Sequence, residues 1–330
     1  MRLKILSGND VKKAVSMAQA ISAVKEAYIQ LSSGKAEMPL RTSVPVEKQK
    51  GITLFMPSYL AESQAMGAKV VSVFPQNLDK GMPTIHAVVV VLDAETGRPV
   101  ALLDGTYLTA LRTGAASGAA TDLLARNDAR VAAIFGAGAQ ARTQLVAVCT
   151  VRTVEKVWIF DTQPGIAEAW AAEMKFRGSP IPSAIFVAES PAQAAREADI
   201  ICTATTSYEP VFEDKDLKPG VHINAIGAYT PDMKEIPVAT VIRSKLIVDS
   251  RQACLAEAGD IIIPLKDGLI AEEHIHGEIG DVAAGRIPGR ESDEEVTLFK
   301  SVGLAVQDVA VAELVRAQAE EMNLGFEVDI

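Results

Sequence analysis

Cysteine is scarce in this chain. Its 330 residues hold three, Cys149, Cys202 and Cys254, spaced about fifty apart with no C-x-x-C pair. No disulfide framework is expected; these read as reduced, buried thiols of a cytosolic protein. Excess positive charge is also missing. The net charge is −10, which argues against a nucleic-acid or anionic-membrane surface while leaving room for a small basic pocket. Aromatic residues make up 5%. Long apolar runs are absent: the stretch Ala87 to Leu92 is far too short to span a bilayer. The opening residues MRLKILSGND carry no apolar stretch of a secretory signal, so a cytoplasmic location is expected. What remains is 48% hydrophobic and 22% charged, ordinary for a folded protein, and long enough for two domains.

Asn9 or Asp10 can cap a helix whose apolar residues fall at Val11, Val15, Ala18, Ile21, Val24, Tyr28 and Leu31, with Gly34 closing it. Strand-like runs follow at 52–56, 68–74, 85–92 and 99–103, and "DAETGRP" between the last two reads as a hairpin connection. The first hundred residues therefore predict one helix and a small, mostly antiparallel sheet. The stretch "TYLTALRTGAASGAATDLLAR" predicts a helix in close contact with a neighbour, because its side chains are small. From residue 131 the rhythm changes. Runs at 131–135, 156–160, 184–187, 199–203, 221–226 and 245–248 alternate with helix-like stretches, the pattern of a doubly wound parallel sheet. The segment beginning at Leu298 predicts one amphipathic helix with Leu298, Val302, Ala305, Val309 and Leu314 on a face, and "ESDEE" before it can cap that helix.

"VAAIFGAGAQARTQL" combines a buried strand, a glycine turn and a helix start. Gly136 permits the tight turn, Gly138 lets a pyrophosphate approach the backbone, and Ala141 stands as an accepted third residue of G-x-G-x-x-G. Helix N–H groups then face the phosphates. The next strand ends in Asp161, 25 residues after Gly136, near the expected ~20 for a carboxylate on the adenosine ribose. It would repel a 2′-phosphate, and no Arg follows it, so NAD is expected over NADP. Two more strands end in Thr203, Thr205 and Thr206, and in Gly227, at the carboxyl edge where ligands bind.

Arg41, Lys69 and Arg112 are scattered in sequence. Lys69 sits inside the apolar run "MGAKVVSVFP", where a lysine usually marks the solvent face of a strand. The alternative is a cluster that grips a carboxylate, Arg by two prongs and Lys as a point charge. His274 and His276 in "EEHIHGEIGD" could be weighed as metal ligands, but a structural loop is the preferred reading. His86 and His222 lie in apolar strands and read as buried, satisfied residues.

The stretches "FMPSYL", "GAKVVSVFPQN", "GMPTIHAVVVVLDAETGRPVALLDGTYLTALRTGAASGAAT", "GAGAQA", "NAIGAYTPDMKEI", "HGEIGDVAAGRIPGR" and "LFKSVGLAVQD" together resemble the ornithine cyclodeaminase/mu-crystallin family over almost the whole chain. The resemblance implies a Rossmann domain, 116–298, inserted into a smaller α+β substrate and dimerisation domain, 1–115 plus 299–330, and homodimers joined through the latter's sheet. It implies that Arg41, Lys69, Arg112 and Val302 meet the substrate. It also implies cofactor contacts from Thr84, Arg112, Gly136, Gly138, Ala139, Gln140, Asp161, Thr203, Thr205, Ala225, Ile226, Gly227 and Ser301. One departure bears on the reaction. Where cyclodeaminases carry an acid/base aspartate after the fifth strand, this chain has Tyr229; Asp232, three residues on, resembles the aspartate of the imine-reductase branch. The expected activity is NAD(P)H-dependent chemistry at the C–N bond of a small amino or imino acid, with Lys69, Tyr229 and Asp232 as catalytic candidates and no metal. An ornithine cyclodeaminase and a non-enzymatic NAD(P)H-binding crystallin are the alternatives the resemblance leaves.

Overall fold

A computed structural model describes residues 2–163 and 165–330. The chain forms two compact units, Met1–Arg112 with Leu304–Ile330, and Thr113–Gly303. In the first, β1 (Arg2–Leu6) leads into α1 (Gly8–Ala14) and α2 (Met17–Ser32), then β2 (Ala36–Glu37), β3 (Thr42–Val46), β4 (Gly51–Leu60), β5 (Ala65–Val73), β6 (Ile85–Asp93) and β7 (Pro99–Asp104). Helix α3 (Gly105–Leu124) carries the chain across the unit boundary. The second unit holds β8 (Val131–Phe135), α4 (Ala139–Val151), β9 (Lys156–Phe160), α5 (Ile166–Arg177), β10 (Ile185–Val187), α6 (Pro191–Glu197), β11 (Ile200–Thr203), β12 (His222–Ala225), α7 (Val238–Arg243), β13 (Lys245–Val248), α8 (Arg251–Glu257), α9 (Gly259–Lys266), β14 (Ile275–Glu278), α10 (Ile279–Ala283) and β15 (Thr297–Lys300). The chain then returns to the first unit as α11 (Ala305–Glu321) and β16 (Phe326–Asp329).

The first unit is a mixed sheet in the order β16-β1-β7-β6-β5-β4-β2, with β3 also on β4. All its pairs are antiparallel except β1 with β7. The "DAETGRP" hairpin joins β6 and β7 as expected. Strand alternation sends Ala65, Gly67, Lys69 and Val71 to the covered face, where α11 packs on β4, β5 and β6, and leaves Met66, Ala68, Val70 and Ser72 half-buried on the other. The single N-terminal helix of the sequence reading is two helices. Ser7 caps α1 through a capping box with Asp10, and Ser16 caps α2 through one with Gln19, so neither Asn9 nor Asp10 is the cap. Helical periodicity ran on across residues 15–16, but a side-chain oxygen that satisfies free N–H groups at Ser16 starts a new helix there. Gly34, with φ +68°, follows the end of α2.

The second unit is an eight-stranded parallel sheet in the order β10-β9-β8-β11-β12-β15-β13-β14. Its first five positions reproduce the 3-2-1-4-5 order of a dinucleotide fold, with the switch point between β8 and β11, and the late strand β15 takes the sixth position, between β12 and β13. The six expected strands are present, and β14 and β15 add two. The final helix therefore does not begin at Leu298: Thr297–Lys300 is a wholly buried strand and α11 starts at Ala305. "ESDEE" leads into that strand and caps no helix. The small residues of α3 bring it against α4: a Cβ on Gly114 would lie 2.6 Å from the Thr143 carbonyl oxygen. The core on one side of this sheet gathers Ile134, Leu145, Ile159, Trp170, Met174 and Cys202. All three cysteines are free and buried, and burial pushes the Cys149 thiol up to about 12.

Candidate functional site

In the first unit the chemistry gathers around one carboxylate. Asp308, on α11, is fully buried. Lys69, 1% exposed on β5, donates to its Oδ1 at 2.9 Å and stands 2.7 Å from Oδ2. Arg112, buried on α3, brings Nε to 2.9 Å from Oδ1, off the line of a hydrogen bond, and Nη1 donates to Gln307 Oε1 at 2.7 Å. Gln307 is anchored in turn: its Oε1 accepts from the Leu304 N–H at 2.9 Å and its Nε2 donates to the Tyr28 hydroxyl. Arg41 lies half-buried between β2 and β3, close enough for its charge to act on Lys69. The sequence expectation that brings Arg41, Lys69 and Arg112 together thus has a physical centre, and the solvent-face reading of Lys69 is wrong. Burial first, then the charges of Arg112 and Arg41, lower the Lys69 pKa to about 7, with Asp308 opposing. Asp308 and Gln307 were not singled out from sequence. Their signal is a Gln-Asp pair on the apolar side of a helix, inside the quoted "LFKSVGLAVQD".

Thr84 lies half-buried just before β6, its carbonyl accepting from the Phe74 N–H at 2.8 Å. His86 corrects another expectation: it is exposed, because alternation on β6 buries Ala87, Val89 and Val91 instead. His222 is buried as expected, between the Thr297 hydroxyl at 2.9 Å and the Asn224 side-chain oxygen at 3.2 Å. Burial and the nearby Arg290 lower its pKa to about 3, so it is neutral.

In the second unit the glycine turn has the geometry its sequence implies. Gly136 adopts φ +89°, and a Cβ there would meet the Ala204 carbonyl oxygen at 2.8 Å. Gly138 is the N-cap of α4, and a Cβ on it would enter open space. Ala139 and Gln140 open the helix, and the Gln140 Oε1 is buried without a hydrogen bond. Asp161 at the end of β9 reaches this turn: its Oδ2 accepts from the Ala137 N–H at 2.8 Å and its Oδ1 from the Gln163 N–H at 2.9 Å. Free helix N–H groups, room over Gly138, an orphaned amide oxygen and a carboxylate beside the turn together suit a dinucleotide.

The carboxyl ends of β11 and β12 are tied by Glu235, another residue the sequence reading passed over. It is completely buried. Its Oε1 accepts from the Thr205 N–H at 2.7 Å and hydroxyl at 2.8 Å; its Oε2 accepts from the Thr203 hydroxyl at 2.9 Å, the Gly227 N–H at 2.7 Å and the Ala228 N–H at 3.1 Å. Burial raises its pKa, while Lys300 opposes the shift. Asp260 accepts from the Glu235 and Ile236 N–H groups at 2.7 and 3.0 Å and from Lys300 Nζ at 2.8 Å. At the end of β15, Asp249 Oδ2 accepts from the Ser301 hydroxyl at 2.7 Å and from the Val302 and Gly303 N–H groups at 2.9 and 3.0 Å. Ser301 N–H also donates to the Ala225 carbonyl at 3.2 Å, and Ile226 N–H to Thr203 at 3.0 Å. So Thr203, Thr205, Ala225, Ile226, Gly227, Ser301 and Val302 share one edge of the sheet. Tyr229 follows, half-buried, and Asp232 is exposed, accepting from the Thr230 hydroxyl at 2.6 Å. His274 Nε2 lies 2.7 Å from the Val241 carbonyl oxygen and His276 is exposed on β14.

The model of the ornithine cyclodeaminase/mu-crystallin family matches residues 2–323. A Delta(1)-pyrroline-2-carboxylate reductase of Bacillus cereus is 40% identical over 98% of this chain and 99% of its own. The structure of the Thermococcus litoralis Delta(1)-pyrroline-2-carboxylate reductase in complex with NADH and L-proline is similar with TM-score 0.95 and 47% identity, covering 98% of this chain and 100% of that one. An archaeal alanine dehydrogenase dimer with bound NAD is similar with TM-score 0.93 and 37% identity, covering all of both chains. Matched along its length in this way, the chain belongs to the ornithine cyclodeaminase/mu-crystallin family, in its branch of imine-reducing oxidoreductases.

Proposed function

We propose that this chain reduces the C=N bond of a small cyclic imino acid of the Δ1-pyrroline-2-carboxylate kind, with NADH preferred over NADPH. The observation that supports this best is the buried cluster of the first unit. Two cations, Lys69 and Arg112, share a single carboxylate, so with both protonated the cluster has charge left for an anionic ligand. NADH, when bound, supplies the hydride for the imine carbon. Saturating the imine nitrogen needs one proton as well. Lys69, with a pKa of about 7, holds a proton at Nζ that it can pass to the imine nitrogen near neutral pH, which leaves the lysine neutral and gives the protonated imine, the better hydride acceptor. Tyr229 and Asp232 are the further acid candidates. Tyr229, standing where cyclodeaminases carry a carboxylate, suits a substrate without a second ammonium group, and so favours reduction over cyclodeamination.

In this reading the turn residues Gly136, Gly138, Ala139 and Gln140 hold the pyrophosphate, Asp161 the adenosine ribose, and Thr84, Arg112, Thr203, Thr205, Ala225, Ile226, Gly227 and Ser301 complete the cofactor site, while Val302 borders the substrate. Residues 116–298 form the cofactor domain, and 1–115 with 299–330 the substrate and dimerisation domain. A homodimer through the open sheet face is part of the proposal: Phe55 and Val88 there are 43% and 44% exposed, beside half-buried Val70 and Leu102. Light scattering should give about twice 35.0 kDa. The activity is tested by following NADH and NADPH absorbance with Δ1-pyrroline-2-carboxylate, Δ1-piperideine-2-carboxylate, and pyruvate plus ammonia. Consumption of NADH with a cyclic imino acid is expected. Ammonia and proline from L-ornithine without net cofactor change would overturn the reading, as would tight cofactor binding with no turnover.

A further inference from the structure

We propose that Glu235 is a positioning residue that presets the ends of β11 and β12 for the nicotinamide half of the cofactor. The inference rests on the proposed cofactor site and goes beyond it, because none of the cofactor residues named above is Glu235.

Glu235 collects five donors from two adjacent strand ends, three N–H groups and two hydroxyls, with both oxygens occupied. Left alone, those strand ends would splay. Their N–H groups lie past the last rung of the ladder and have no strand partner. One carboxylate satisfies them all and fixes Thr203 and Thr205 against Gly227. The packing leaves no slack: a Cβ on Gly227 would sit 2.3 Å from the Thr205 carbonyl oxygen and 2.4 Å from Glu235 Oε1. The carboxylate is itself held. Its own N–H and that of Ile236 are tied to Asp260, whose other oxygen takes Lys300 at the end of β15. Three consecutive strand ends, β11, β12 and β15, are therefore locked to one another by a chain of buried polar groups with every oxygen used.

Which half of the cofactor this serves follows from topology. The adenosine half belongs on the side of β9, where Asp161 stands by the turn, and the pyrophosphate on the turn after β8. Across the switch point lie β11 and β12, so a dinucleotide laid over the edge places its second half above the ends that Glu235 holds. Among the described residues, Glu235 makes no hydrogen bond to the Gly136 turn or to Asp161. An effect confined to one half of the cofactor is what separates positioning from general structural support.

The test uses Glu235→Gln and Glu235→Asp in the full chain, with binding of NADH and of ADP-ribose, which lacks the nicotinamide, measured by titration beside thermal melting. In the amide variant an NH2 group must face N–H and O–H donors; in the aspartate variant the carboxylate is one methylene short of spanning both strands. In both, the dissociation constant for NADH should rise ~10-fold or more, while that for ADP-ribose stays within about twofold. Equal weakening of the two ligands, or no change in either, would overturn the inference, as would loss of the fold in both variants, since Glu235 would then hold the unit as a whole. Failure of the unaltered protein to bind NADH would instead overturn the cofactor reading on which the inference rests.

Discussion

Asp308 in the first unit and Glu235 in the second are both carboxylates removed from water, yet they are balanced in opposite ways. Asp308 is met by the charges of Lys69 and Arg112. Glu235 is met by neutral dipoles, with Lys300 shared one step away through Asp260. A buried anion satisfied by dipoles closes a structure: its donors are used and nothing is left for a ligand. A buried anion outnumbered by cations leaves an excess positive charge, which suits an anionic ligand, as proposed for this cluster. The difference teaches that the charge count of a buried cluster separates a site from its scaffold better than burial alone.

The strongest way to break this comparison is Asp308→Asn. Removing the anion leaves Lys69 and Arg112 buried together, a change that costs about 3–5 kcal/mol in comparable pairs. The sign of the pH effect is fixed: Asp308 raises the Lys69 pKa, so its loss lowers it further. In the unaltered enzyme, activity that needs protonated Lys69 should fall as pH rises through about 7; in the variant this limb should move to lower pH, with kcat/KM at neutral pH reduced ~10²-fold or more. A folded variant with an unmoved pH profile would remove Lys69 from proton transfer. The second unit answers to Gly136→Ala. At φ +89°, with a carbonyl oxygen 2.8 Å from the new Cβ, the turn must open, and NADH binding followed by fluorescence titration should weaken ~10–100-fold. Unchanged binding would detach this turn from the cofactor. The smallest effect is expected from Asp161→Ser. In the proposed site its carboxylate stands against a 2′-phosphate, so the ratio of kcat/KM for NADH to that for NADPH should fall about tenfold; an unchanged ratio would overturn the role proposed for Asp161.

The two units also differ in how far their sequences could be read. In the second, each strand is a short apolar run and the Gly136 turn is local, so its elements were legible one by one. Two strands escaped. "TLFK" at 297–300 reads as helix because Leu298, Val302, Ala305 and Val309 carry the helical spacing of α11 back into it, and β14 lies in a stretch whose sequence reads as loop. In the first, Lys69 was ambiguous because β5 is apolar on both faces, Ala65 and Val71 on one and Met66 and Val70 on the other. Alternation assigns residues to two faces but cannot name the covered one. The same ambiguity misplaced His86. The helix break at Ser16 carries a local signal, the Ser-x-x-Gln of its capping box, which helical periodicity masks.

The sequence by itself determined what depends on neighbours along the chain. The positive φ of Gly136, the Asp at the end of the following strand, the β6–β7 hairpin and the small-residue helix are consequences of a few consecutive side chains. Only the tertiary structure decided which charges meet. Lys69 finds Asp308 239 residues away, Thr203 finds Glu235 32 residues away, and Lys300 finds Asp260 40 residues away. The energy of a buried charge is set by groups within a few ångströms in space, whatever their separation in sequence. No local pattern announces such partners, and the fold alone brings them together.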